Sequence, residues 1–158
     1  MMVEAFDYIE MKIPAKAEYV GVIRLTLSGI ASRIGFSYEN IEDLKIAVSE
    51  AITNAVQHAY SNSEDEKVLV GFKLYKNKLE IKVADSGRSF NFDKAYEEAG
   101  PYKEDEKVEF LREGGLGLYL IETLMDEVRM QQNEGVTIVM TKYLEGELVE
   151  GDVEQIST

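Results

Sequence analysis

An α+β fold, built as a two-layer α/β sandwich in which helices cover one face of a mixed, mostly antiparallel sheet, is what this chain predicts. Apolar residues recur at helical spacing over two long segments before residue 60. They alternate with period two between Lys67 and Asp85, and a further helical pattern is then followed by two more strand-like runs. Helices and strands fall into blocks instead of alternating strictly, which separates this pattern from a parallel α/β fold.

Residues 3–13 read as a first strand ending at Pro14. From Ala15 to Ile34, Val20, Ile23, Leu27, Ile30 and Ile34 step by three and four and line one face of a long helix, despite Gly21 and Gly29. Ser37 is the N-cap candidate for a second helix running to about Tyr60, because its hydroxyl can accept an orphan backbone N–H. The full capping box fails, since Asn40 stands where Glu or Gln would. Val68, Val70, Phe72 and Leu74, then Leu79, Ile81 and Val83, form two strands separated by a hairpin turn at Lys76-Asn77. Residues 86–115 are charge-rich, broken by Gly100-Pro101, and long enough to predict a lid or binding loop. Leu116–Met125 predicts a helix, and strands follow near 127–132 and 136–143 around a turn at Asn133-Glu134-Gly135.

With 158 residues and 45% hydrophobic content, one buried core is expected, so we read a single domain over 1–143 and an acidic tail over 144–158. Thirty acidic against 17 basic residues give a formal charge of −13, which argues against direct binding to nucleic acid or an anionic membrane and favours a basic protein partner. The absence of cysteine removes disulfides, thiolate metal sites and a cysteine nucleophile. Neither a leader nor a stretch of roughly 18 apolar residues is present, so a cytoplasmic soluble protein is expected.

Three short motifs carry the chemistry. Glu50, Asn54 and His58 lie four apart on the second helix, away from the apolar face of Leu44, Val48, Ile52, Val56 and Ala59. Such a stripe is also what a solvated helix face looks like. If it faces a cleft, the Glu50 carboxylate can take a proton from a hydroxyl, and one turn later the Asn54 amide oxygen can ligate Mg²⁺. Asp85-Ser86-Gly87 closes a strand. It is either an Asx turn or a carboxylate that accepts a hydrogen bond from an exocyclic amine such as that of adenine, with Gly87 admitting the flat base. Gly114-Gly115-Leu116-Gly117 opens a helix and serves either as a hinge or as an N-terminus whose free N–H groups bind phosphate. Arg112 can add charge near a terminal phosphate or stand as ordinary surface charge. No Walker loop and no His-Arg-Asp or Asp-Phe-Gly signature occurs.

Glu50-xxx-Asn54, Asp85-x-Gly87 and Gly115-x-Gly117 resemble, in order, the N, G1 and G2 boxes of the GHKL (Bergerat-fold) ATPases. The wider stretches Glu50-Ala-Ile-Thr-Asn-Ala-Val-Gln-His-Ala-Tyr60 and Arg112-Glu-Gly-Gly-Leu-Gly-Leu118 are similar to the anti-sigma factor serine kinases of the RsbW type. That resemblance implies ATP and Mg²⁺ as cofactors and Glu50 as the base toward a serine hydroxyl. It also implies Asn54 as the Mg²⁺ ligand, Asp85 with Gly87 at the adenine, and Gly115 with Gly117 in the phosphate lid. Thr137 matches a position that helps hold adenine, and Arg112 one that contacts phosphate, although its spacing from the glycines differs by a residue from some relatives. Members of this family dimerise, sequester a sigma factor and phosphorylate a serine on an anti-anti-sigma protein. Three rivals share the fold: a detached histidine-kinase ATPase domain, for which His58 is a poor phosphoacceptor inside the N-box helix; a nucleotide-gated module without catalysis; and a gyrase- or chaperone-like ATPase.

Overall fold

A computed structural model describes residues 4–60, 67–85, 116–132 and 136–144. The expected lid at 86–115 and the tail beyond Leu144 lie outside these described residues. Strand β1 (Asp7–Pro14) starts the sheet and retains Pro14 as its last residue. Proline fits there because β1 is an edge strand, paired only with β2, so the missing N–H can face away from the ladder.

The helix expected from Ala15 starts later. Lys16 is still extended, at φ −134 and ψ 137, and a 3-10 turn at Ala17–Tyr19 precedes helix α1 (Val20–Ile34). Its end is set by Gly35, whose φ of 116 is strained for a residue with a Cβ. The N–H groups of Gly35 and Phe36 both close on the Ala31 carbonyl at 3.1 Å. Helix α2 (Tyr38–Tyr60) begins as the sequence predicts, with the Ser37 hydroxyl accepting the Asn40 N–H at 3.2 Å.

Strands β2 (Lys67–Leu74) and β3 (Lys78–Asp85) form the expected hairpin, closed by the Tyr75 N–H on the Lys78 carbonyl at 3.0 Å. Helix α3 (Leu116–Leu124) leads into β4 (Glu127–Gln132) and β5 (Val136–Tyr143), while the turn between those strands is outside the described residues. At the end of α3 the Lys142 ammonium donates to the Leu124 carbonyl at 2.7 Å, placing a cation at the negative end of the helix. The sheet order is β1-β2-β3-β5-β4, and every pairing among the described strands is antiparallel.

Alternation along the strands gives the sheet one covered and one open face. Val68, Val70, Phe72, Leu79, Ile81, Val83, Ile138 and Met140 are buried against the helices, where they meet Ile23, Leu27, Leu44, Val48, Ile52 and Ile121. On the open face the Tyr8 ring occupies the space that a Cβ at Gly71 would need, which accounts for a glycine in the middle of β2. Within the helix layer α2 packs on the sheet and is flanked by α1 and α3, and α2 carries the first motif.

Candidate active site

On α2 the apolar side settles the orientation. Leu44, Val48, Ile52 and Val56 are buried, so Glu50 and Asn54 project away from the sheet-facing stripe. They are half-buried, unlike the exposed Thr53 between them, and the cover comes from α3. Leu118 and Ile121 anchor α3 in the core, which brings its first turn down onto α2.

The contact is close enough to dictate a residue type. A methyl group added at Gly117 would lie 2.9 Å from Glu50 Oε1 and 3.8 Å from Asn54 Nδ2. Only glycine leaves the carboxylate where it stands. Asn54 Nδ2 is buried without a hydrogen-bond partner among the described residues. Buried amides are rarely left so unless something else binds there, and a half-turn would bring the side-chain oxygen into the same position. Glu50 and Asn54 together offer hard oxygen donors, which suit Mg²⁺, and Gly117 leaves room for phosphate beside a helix N-terminus. No group of three or more His, Cys, Asp or Glu side chains among the described residues can hold a metal.

Asp85 ends β3 and is 6% exposed. It is in phase with Leu79, Ile81 and Val83, so its carboxylate turns toward the helix layer. Thr137 does not join it. The register pairs Thr137 with Ala84, one step out of phase with Asp85, and so places Thr137 on the open face of the sheet. This departs from the shared adenine site that the resemblance implies, and position 136 is the one that continues the register across from Asp85. Gly87, Arg112 and Gly115 lie outside the described residues, as do the side chain of His58 and that of Ala59.

The sequence reading missed the surroundings of Glu50. A hollow of about 400 Å³ lies beside it, lined by Arg24, Glu42, Lys45, Ile46 and Ser49. Arg24 Nη1 donates to Ser49 Oγ at 3.4 Å, and Lys45 pairs with Glu42 at 3.0 Å. Positions 42, 45, 46, 49 and 50 share one face of α2 by their spacing, so that side was legible, but the arrival of Arg24 from α1 was not. Another hollow, of about 410 Å³, touches Asp85 with Glu10, Lys12, Lys67, Leu69 and Ala84. Most of its walls belong to the open sheet face, so it is not the space between Glu50 and Gly117. No described helix is long and apolar enough to cross a membrane.

Comparison with known proteins gives the family. Residues 13–142 match the family described as Histidine kinase-like ATPase domain. The serine-protein kinase RsbW of Oceanobacillus iheyensis is 60% identical over 153 residues, covering 97% of each chain. That of Bacillus subtilis is 61% identical over 146 residues, covering 92% of this chain and 91% of its own. The solved RsbU and RsbW domains of a Mycobacterium tuberculosis protein superpose with a TM-score of 0.61 at 21% identity. That likeness covers 86% of this chain and 32% of the longer one, and shows the fold. The chain belongs to the histidine kinase-like ATPase domain family and, within it, to the RsbW serine-protein kinases.

Proposed function

We propose that the chain transfers the γ-phosphoryl group of ATP to a serine of an anti-anti-sigma protein, and that it sequesters a sigma factor when not so engaged. The observation that supports the site reading is the close approach of Gly117, in the third motif, to Glu50 and Asn54 in the first. A Cβ added at Gly117 would lie 2.9 Å from Glu50 Oε1 and 3.8 Å from Asn54 Nδ2, while Asp85 is buried in phase with the strand residues that face the helix layer.

Glu50 is the general base in this reading. Its carboxylate accepts the serine hydroxyl proton as the serine oxygen bonds to the γ-phosphorus and the bond to the ADP oxygen breaks. ATP supplies the phosphoryl group and Mg²⁺ offsets its charge. In this reading the Asn54 side-chain oxygen would hold the ion and Asp85 would accept a hydrogen bond from the adenine amine, while Gly87, Arg112, Gly115 and Gly117 would contribute the remaining base and phosphate contacts. Because Glu50 borders Gly117 on one side and the hollow with Arg24 and Lys45 on the other, nucleotide and protein acceptor can approach from different sides. The active unit in this reading is a cytoplasmic homodimer with one domain per chain and a lid over 86–115.

Incubating the chain with γ-labelled ATP and candidate antagonists tests this. Label on a partner serine supports the kinase reading, label released only as phosphate replaces it with an ATPase, and label on His58 would revive the histidine-kinase rival.

A further inference from the structure

At the end of the sheet farthest from Asp85 the chain leaves β5 through a small, well-defined junction. The Leu144 N–H donates to the Asn77 carbonyl at 2.9 Å, and the Leu144 side chain lies 3.6 Å from the position of a Cβ on Gly35. Leu144 is thus pinned between the β2–β3 turn and the end of α1. The residues immediately before those two contacts, Arg33 and Ile34 on α1 and Tyr75 and Lys76 in the turn, join Phe6 in lining a hollow of about 390 Å³. Phe6 is 53% exposed there. Asn77 Oδ1, at the same junction, is buried without a hydrogen-bond partner among the described residues.

We propose that this hollow is the seat of the chain's own C-terminal segment. The residues after Leu144 are Glu145-Gly-Glu147-Leu148-Val149-Glu150, and positions 145–158 contain five acidic residues and no basic one. Both cations of the hollow, Arg33 and Lys76, therefore meet opposite charge within the first three residues, which span at most about 10 Å. Leu148 and Val149 supply apolar surface for Phe6, Ile34 and Tyr75. A backbone N–H just past Leu144 supplies the donor that Asn77 Oδ1 lacks. Seven strand residues separate this end of β3 from Asp85, about 23 Å, so the seat is remote from the nucleotide site. The tail acts as a strap joining α1 to the β2–β3 hairpin, and its attachment is independent of phosphoryl transfer.

Limited digestion of the full chain with a glutamate-specific protease tests the proposal, with tail cleavage followed by intact mass. Arg33→Glu with Lys76→Glu should speed cleavage between 145 and 154 by about fivefold, the scale of two lost exposed ion pairs. Adding Glu145→Lys and Glu147→Lys to that variant should restore slow cleavage after Glu150 and Glu154, the two sites that every variant keeps and at which all rates are compared, which a merely structural loss would not. In the unsubstituted chain 0.5 M NaCl should accelerate tail cleavage, so the proposal can be judged even if the reversed variant does not fold. Equal rates in all variants and salts, or a reversed variant that the swap does not rescue, would overturn it. Protection that rises with protein concentration would assign the seat to a second copy's tail and overturn the intramolecular strap.

Discussion

Gly117 and Glu50 form the contact on which the site depends, and their chemistry separates activity from stability. The group that a new methyl at 117 would strike is the far end of a flexible side chain, so the fold can absorb Gly117→Ala while the carboxylate moves. We expect a melting temperature close to that of the parent and a loss of transfer of about 10²-fold, as for a reacting group displaced by an ångström. If Glu50 is the base proposed above, Glu50→Gln should lower transfer by roughly 10²–10⁴-fold while ATP still binds. Because both changes act through one carboxylate, the double variant should be no slower than Glu50→Gln alone. Single-turnover rates with labelled ATP check all three, and additive losses would mean that Gly117 matters for another reason. The pairing of Glu50 with Asn54 was legible as a four-residue step, whereas Asp85 was left between an Asx turn and a buried acceptor until its strand showed it buried. The face that Thr137 takes was not legible, because it depends on a pairing register that lies outside its own neighbourhood.

Elements were most legible where a local signal agreed with the tertiary demand. Ser37 both precedes the apolar run of α2 and accepts the Asn40 N–H, so that boundary needed no knowledge of the rest of the fold. The start of α1 was less legible, since the extended backbone at Lys16 is inherited from the edge strand before it. The β3–β5–β4 region carries a polar cluster that no pattern announced. Lys78 lies 4.7 Å from the Tyr75 ring centroid and 5.7 Å from that of Tyr143, and the Tyr143 hydroxyl donates to Glu127 Oε2 at 3.0 Å. That hydrogen bond, then burial, raises the Tyr143 pKa above the usual tyrosine value, whereas for Tyr8 burial is the larger cause and the Glu10 hydrogen bond the next. A phenol whose pKa is raised on folding holds its proton more tightly in the native state. Its contribution is therefore complete below the unfolded value near 10 and is lost as pH rises through the raised native one. Urea midpoints measured from pH 8 to 11 should fall at the alkaline end, and Tyr143→Phe should be less stable at pH 8 yet fall less steeply. Parallel curves for the two proteins would remove Tyr143 from the account.

Over the whole molecule, charge among the described residues is unevenly divided between the two layers. The open sheet face carries Lys12, Lys67, Lys73, Lys78, Lys82 and Arg129 against only Glu10, Glu80 and Glu127. Some of this is internally matched, as in the cross-strand pair of Lys73 and Glu80 at 3.9 Å. Among the described residues off that face, acidic side chains outnumber basic ones, with Glu39, Glu42 and Asp43 in the opening turns of α2. A basic partner is drawn to that side and repelled from the sheet, and the same side carries Glu50. If the sigma factor presents a basic surface, its association rate constant should drop by roughly tenfold as NaCl rises from low to physiological strength and beyond. Glu39→Lys with Glu42→Lys should slow association severalfold, whereas Lys82→Glu with Arg129→Glu, on the opposite face, should leave it unchanged or slightly faster. Stopped-flow measurement of the purified pair distinguishes these outcomes. Slowing by the sheet-face pair, or indifference to the α2 pair, would mean that the long-range field does not choose the docking side and that short-range contacts do.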